Sequence, residues 1–389
     1  MNALPYVILL FCYILMAIIW QIQHLNSDQK KLLRFICCTI FLLFFGLRGY
    51  IGWDVNNYYP MFVECTDILN IFHSNSAEIV KEPGFYFYMS TLKSIWNNYH
   101  FYIFCSTIID IIIINTFLKR YSINYPLAFV IYLAMMMAFE IDLQRNIKSM
   151  LLFLLSIKYI EQRRFLPFFC LNLLGITFHI TSILYIPCYF FMDKKISKKL
   201  LITLFLIFQI IYLLQIPIVS STIIGISNQI GGALGNLLVA YTQNTHLAVS
   251  KGISIGHLER TLTFIAIIIN YKSIINTNKV NIIFINAFII YFACQTMLFE
   301  LSVLANRLSM LFIFSYLIVW PAIIYNYKLK TNRICLIFII FTYSTLKVSD
   351  YNSGIFYKYD NLLTGITSFQ ERNATFDAYA ESILLDNAN

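Results

Sequence analysis

The sequence predicts an all-α fold, a polytopic transmembrane helical bundle of about 10–12 helices, and three observations carry that prediction. Of 389 residues, 59% are hydrophobic and 12% charged, whereas a soluble domain carries about 25% charged residues. Apolar runs long enough for a helix to cross about 30 Å of hydrocarbon recur from end to end, and the mean hydropathy is +0.70. The short alternating segments of a closed β-barrel are missing.

The formal charge of +9 lies in short clusters between apolar runs, not in a basic tail or stripe. That distribution argues for a lipid bilayer as partner and against nucleic acid. Of nine cysteines only Cys65 falls in an expected loop, so neither a disulfide framework nor a zinc spacing is offered, and no metal or cofactor is expected. The first apolar run, "LPYVILLFCYILMAIIW", has no basic residue before it and no small-residue cleavage site, and reads as a retained span.

Lys and Arg favour the cytoplasmic ends of spans. Placing Lys30, Lys31 and Arg34, Lys119 and Arg120, Arg163 and Arg164, Lys194 to Lys199, Lys272 and Lys279, and Lys328 to Arg333 inside gives one consistent path. Spans are then expected near 4–23, 32–47, 101–118, 124–140, 145–160, 200–217, 258–275, 280–299, 307–326 and 333–346, as one domain over 1–346. External loops cover about 48–83 and 218–257; the second is rich in Gly, Ser and Asn and is expected to be a mobile lid. Its "GGALG" lacks the Lys-Ser/Thr of a phosphate loop. Residues 347–389 form a polar C-terminal tail, expected to be partly disordered.

Two segments do not fit as ordinary spans. "GFYFYMSTLKSIW" (84–96) is short and carries Lys93, and reads as an interfacial amphipathic helix. Residues 165–191 have cytoplasmic charge at both ends but are too short for two crossings, which need about 40 residues. They read as a broken or re-entrant hairpin with His179 near its tip, stable only against protein or a water-filled cavity.

Four arginines sit where the charge rule does not want them, at the external mouths of spans: Arg48, Arg145, Arg260 and Arg307. Asp54, Asp142, Glu259 and Glu300 lie near them in sequence, and Glu82 and His179 are expected at the same level. Arginine at membrane depth is costly and usually faces a cavity. Its planar fork of donors suits phosphate oxygens, so converging arginines could hold a diphosphate whose lipid tail stays in the bilayer. Plainer readings stand beside this one. Arg48 could snorkel at a helix end, Asp142 could cap the next helix, Arg260 could be an ordinary interfacial arginine, and His179 a hydrogen-bonded core residue. Trp53, Tyr58 and their aromatic neighbours form the expected interfacial belt, with stacking on sugar faces as the second reading.

"GLRGYIGWDVNNYY" resembles the R-x₃-G-x-D-x₃-Y signature of the EpsG-like family of bacterial exopolysaccharide-assembly proteins, related to the Wzy O-antigen polymerases, with Arg48, Gly52, Asp54 and Tyr58 in place. "KEPGFYFYMSTL" resembles that family's E-x-G-F segment through Glu82, Gly84 and Phe85. "LQRNIKSMLLF" is similar to its R-Q-x-(I/L)-A segment but has Asn146 where Gln is usual. "ITFHITSILYIP" is similar to its F-H-x-S/T-A segment, and "ANRLSMLF" to its late arginine segment.

The resemblance implies a GT-C-like multipass polymerase in the bacterial cytoplasmic membrane. It would join polyprenyl-diphosphate-linked oligosaccharide repeats on the outer face, with a flippase and a chain-length regulator as partners. On that reading Arg145 and Arg307, supported by Arg48 and Arg260, hold the diphosphate, while Tyr58 and Trp53 meet the glycan. Glu82, His179 and Asp54 are the candidates for general base, and Glu82 and His179 are not separated by the sequence. A transporter or flippase of the same lipid-linked units, and a membrane O-acyltransferase, are the competing readings.

Overall fold

The computed structural model describes residues 2–73, 81–219, 221–222, 254–350 and 354–388. Among them it is all-α, with sixteen α-helices and no strand. In chain order these are α1 (Leu4–Ile22), α2 (Ser27–Phe41), α3 (Val55–Glu64), α4 (Pro83–Ile95), α5 (Tyr99–Tyr121), α6 (Tyr125–Ile141), α7 (Gln144–Glu161) and α8 (Phe165–Phe178). There follow α9 (Cys188–Phe191), α10 (Lys198–Leu213), α11 (Ile255–Thr277), α12 (Asn281–Met297), α13 (Ser302–Met310), α14 (Tyr316–Tyr325), α15 (Lys330–Ser349) and α16 (Phe369–Ala388). Helices α1, α5 and α15 are each long and apolar enough to cross a membrane, and α13 with the segment after it would make a fourth span, bent by 49°. The span expected as one piece at 307–326 is thus broken, and begins at Ser302.

Contacts group the chain into two compact units, residues 1–189 with 327–389, and residues 190–326. In the first, α6 is apolar around its whole circumference and buried on nearly every face, as a helix surrounded by other helices should be. Asn124 fixes its start: the side-chain oxygen accepts from the Leu127 N–H at 3.2 Å, while the amide donates to the Ala17 carbonyl of α1 at 3.1 Å. Helix α7 packs along α5 and α8. In the second unit α12 takes the central place, packed by α10, α11, α13 and α14.

Helix α2 ends in a π-helical turn, Leu42–Gly46, immediately before the polar wall that begins at Arg48. The loop expected at 48–83 is not plain coil. It contains α3 and a 3₁₀ segment, Ile68–His73, and α4 follows as the expected short helix. Lys93 does not reach for the interface as an interfacial helix would have it. It is buried, and its ammonium donates to the carbonyls of Phe62, Val63 and Cys65 at 2.9, 2.7 and 2.6 Å. A cation at those carbonyls satisfies the unpaired acceptors at the end of α3 and meets the negative end of its dipole. The break in 165–191 is confirmed: α8 stops at Phe178, His179 adopts extended backbone, and a 3₁₀ segment, Ile180–Tyr185, turns the chain.

Within the expected tail, Phe356, Asn361 and Arg372 are buried. One further expectation changes. Asp142 does not cap α7, whose N-cap position is Leu143 with no side-chain bond; it ends α6 instead. The lid expected at 218–257 lies mostly outside the described residues.

Replacing Lys93 by Met removes three charge-assisted bonds but keeps the apolar stem, and is expected to cost roughly 2–4 kcal/mol. A thermal melt in detergent against the parent chain measures it; an unchanged midpoint would show that the ammonium holds nothing.

Candidate functional site

Three short sequence features bring the first unit's site together. Pro83 is the first residue of α4, which keeps the preceding Glu82 outside the α region (φ −141°) and at the N-terminal entrance of the helix. Gly84 then lets α4 press against the end of α8, because a Cβ there would stand 2.8 Å from the Thr177 Cβ and 3.1 Å from its backbone carbon. His179 follows two residues after Thr177 in the extended break. Arg145 enters from the first turn of α7.

Three elements, the start of α4, the first turn of α7 and the break after α8, meet on one carboxylate. Glu82 Oε2 accepts from Arg145 Nη1 at 2.6 Å, and Glu82 Oε1 is bonded to His179 Nδ1. Arg145 Nε donates toward the Tyr58 hydroxyl at 3.4 Å, with the guanidinium carbon 5.6 Å from the Tyr58 ring centre. The Glu82 side chain is 8% exposed, that of Arg145 31% and that of His179 23%. The carboxylate is thus the covered member, while the cation and the imidazole are reachable. Burial pushes the Glu82 carboxyl up, but the His179 bond and the Arg145 charge outweigh it and hold Glu82 below the usual range. A carboxylate so engaged is a weak base. With Nδ1 taken by Glu82, Nε2 is the ring nitrogen left for another partner.

Asp54 stands beside this group. Burial raises its carboxyl, opposed by the Arg145 charge and a bond from Asn57. Its loop is held by Asp142, whose Oδ1 accepts from the Trp53 N–H at 2.7 Å and from the Asp54 N–H at 3.4 Å. Gly52 makes this approach possible, with φ +101° and no room for a Cβ, which would fall 2.6 Å from Ile141 Cγ2 and onto the Asp142 carboxylate. The other Asp142 oxygen is bonded to the Tyr357 hydroxyl from the tail. The tail also pairs its backbone with the wall: Leu362 N–H donates to Leu47 at 2.8 Å and Gly52 N–H to Phe356 at 2.9 Å.

The other sequence candidates are placed differently. Arg48 is 5% exposed, and its two terminal nitrogens donate to the carbonyls of Phe45 (2.8 Å) and Glu140 (2.9 Å). Its fork ties the π-turn to the end of α6. Tyr58 is buried under Arg145 and Phe85, whereas Trp53 packs on Phe356, Phe376 and Tyr379 and stays 40% exposed. In the second unit, Glu259, next to Arg260, accepts from Tyr316 at 3.2 Å and from Thr263 at 3.0 Å. Arg307 is exposed on α13 and makes no hydrogen bond or ion pair among the described residues. No group of three or more His, Cys, Asp or Glu able to hold a metal occurs among the described residues.

Sequence reasoning missed Tyr357, which nothing local distinguishes, and a buried pair deeper in the first unit. There Lys148, one turn along α7 from Arg145, is bonded to Asp110 of α5 and donates to the Ser106 carbonyl at 3.2 Å. A lone acid inside "STIIDIIIIN" was its signal.

The EpsG family model matches residues 31–361, a stretch that contains every residue of this site. The chain belongs to the EpsG family. It is therefore an exopolysaccharide-related, multi-pass membrane protein. No curated protein and no solved structure is matched by the chain.

Asp142 supplies a pH test. Burial raises its carboxyl to about 6, against bonds from Tyr357, Asp54 and Trp53 that lower it. With the folded value above the unfolded one, the folded chain holds the extra proton, and the stability this group contributes is present at acid pH and lost as pH rises toward about 6. Asp142→Asn is expected to flatten that slope in melts taken across the acid range. A slope identical to the parent's would refute the assignment.

Proposed function

We propose that this chain is a polysaccharide repeat-unit polymerase. It transfers a polyprenyl-diphosphate-linked glycan to a hydroxyl of a second lipid-linked unit on the outer face of the bacterial cytoplasmic membrane. One observation carries the reading: a buried carboxylate holds an accessible imidazole on one oxygen and an accessible guanidinium on the other. Glycosyl transfer from a diphosphate needs those two functions side by side, a proton acceptor for the attacking hydroxyl and a fixed positive charge for the leaving group.

The acceptor hydroxyl gives its proton to His179 Nε2 as its oxygen bonds to the anomeric carbon. The bond from that carbon to the diphosphate oxygen breaks, and polyprenyl diphosphate leaves with the electron pair. Arg145 stabilises the charge that develops on the departing oxygen. Glu82 orients the imidazole and stabilises the imidazolium, which then releases its proton to water. The same carboxylate cannot also serve well as base, since both its oxygens are engaged; this favours His179 for that role. Asp54 lies close enough to Arg145 for its charge to be felt, and a protonated Asp54 would leave more of the arginine's field to an incoming diphosphate. Arg307, uncommitted on its own helix, is a second cation for the same class of ligand. A flippase and a chain-length regulator would be the partners of such an enzyme.

A transporter reading has one observation in its favour, the buried Lys148–Asp110 pair, since ionisable residues at membrane depth often line a pathway. Two experiments separate the readings. Purified protein given lipid-linked repeats in detergent, where there are no compartments to cross, is expected to lengthen the glycan; failure to do so while vesicles still show flipping would favour transport. Replacing Lys148 by Met together with Asp110 by Leu is expected to retain elongation, because a buried pair exchanged for apolar residues is often neutral.

In the elongation assay His179→Ala is expected to lower the rate roughly 10²–10⁴-fold, and Arg145→Ala roughly 10²–10³-fold. Arg145→Lys should not restore it, because an ammonium cannot span Glu82 and a phosphate oxygen as the fork does. Arg307→Ala should reduce elongation with no fall in melting temperature. Full-length polymer from both His179→Ala and Arg145→Ala would end the proposal.

A further inference from the structure

At the end of α2 that carries its basic residues, a cavity of about 270 Å³ opens between α2 and α5, lined by Lys31, Arg34, Phe35, Cys38, Asn115 and Lys119. Spacing on the two helices explains it. Residues 31, 34, 35 and 38 share one face of α2, and 115 and 119 one face of α5. The charge rule puts both basic clusters on the same side of the membrane, and here they line a single cavity.

The cations differ in how far they are committed. Lys31 is bonded to Asp28 at 2.9 Å, an exposed pair that water screens. Arg34 and Lys119 make no hydrogen bond or ion pair among the described residues, and Arg34 is half-buried. On the floor, the Tyr125 hydroxyl donates to Asn115 Oδ1 at 3.0 Å and meets Cys38 Sγ at 3.1 Å, which orients Asn115 by its oxygen and leaves its amide nitrogen as a donor. One wall is Phe35, 69% exposed, and Leu32 and Ile112 are also exposed on the same two helices. Fork donors and an ammonium at the rim, with apolar side chains running on from them, match a phosphodiester that carries acyl chains.

We propose that this cavity binds the headgroup of an anionic phospholipid of the cytoplasmic leaflet. Arg34 and Lys119 contact the phosphate, and Phe35 lies along the first acyl carbons. The site stands apart from Glu82, Arg145 and His179, and the inference does not rest on the polymerase reading.

The full chain is reconstituted in phosphatidylcholine nanodiscs containing a minor fraction of phosphatidylglycerol, and lipid retained on the protein is counted by native mass spectrometry. The parent chain is expected to retain phosphatidylglycerol over phosphatidylcholine, and Arg34→Ala with Lys119→Ala to lose roughly tenfold or more of that preference. Arg34→Gln alone, which removes the charge but keeps a polar side chain, should lose part of it with an unchanged melting temperature. Equal retention of the two lipids by the parent, or an undiminished preference in the double variant, overturns the proposal. Displacement of the bound lipid by millimolar inorganic phosphate would assign the cavity to a free phosphate and overturn the lipid assignment.

Discussion

The arrangement of the first unit depends on how a buried carboxylate replaces its lost water. Glu82 has one oxygen for α7, through Arg145, and one for the break after α8, through His179. Neither bond is local in sequence, so each is also a tie between elements. Removing either partner would leave a covered charge half satisfied, which costs far more than an exposed salt bridge is worth. The three side chains thus constrain one another, and the group held most rigidly, the carboxylate, is the one least available to a substrate. What it holds out is an imidazole edge and part of a guanidinium. Preorganisation of this kind lets a site apply its charges without reorganising them when the reaction occurs.

A second carboxylate does similar work one connector away. Asp142 collects two backbone N–H groups from the Gly52–Asp54 turn and a hydroxyl from the tail. The turn could not approach it without a glycine at positive φ, so the spacing of Gly52 and Asp54 in the signature is a steric requirement before it is a chemical one. The tail completes the same wall. Tyr359 stacks on Phe44 with ring centres 4.1 Å apart, and Phe369 stacks on Tyr59 at 4.1 Å. A segment that is polar on average thereby acquires an anchored face.

Much of this was legible in the sequence, and the failures have physical causes. Fold class, the short helix after Glu82 and the break at His179 follow from run lengths and from where charge falls, because the bilayer enforces both. Shared side and an ordered set of motifs place Glu82, Arg145, His179 and Asp54 together, but they place Arg48, Arg260 and Arg307 with them as well, and that wider grouping is not what the contacts of the first unit contain. What could not be read was commitment. Arg48 and Arg145 look alike in the sequence, yet one spends its fork on the carbonyls of Phe45 and Glu140 and the other shares its charge with Glu82. Lys93 looked interfacial because nothing nearby announces that α3 will end against it. The contacts of the tail are hidden for the same reason, since its partners lie more than 300 residues away, as Tyr359 and Phe44 show. Asp142 looked like a cap for the helix after it because a helix start is a local pattern, whereas its real donors come from Trp53 and Tyr357.

Commitment of charge also explains why a chain this apolar can carry so many cations without exposing them all to lipid. Lys93 is absorbed by three carbonyls, Arg48 by two, and Lys148 by Asp110 with a further carbonyl. Each is an interior cation whose charge is met by groups of the fold, and each joins two segments distant in sequence. For Lys93 and Arg48 the cost of burial is offset by acceptors that helix ends and a π-turn leave unpaired, and for Lys148 chiefly by a carboxylate. Arg145 departs from that pattern, since it shares a carboxylate with a histidine, meets the Tyr58 hydroxyl and keeps about a third of its side chain open. Within the first unit, an approaching anion therefore meets, at the accessible position, a guanidinium beside an imidazole that a carboxylate orients, while the deeper cations are already hydrogen-bonded by the fold. Position along the chain separates these cations poorly; what each donor already holds separates them well.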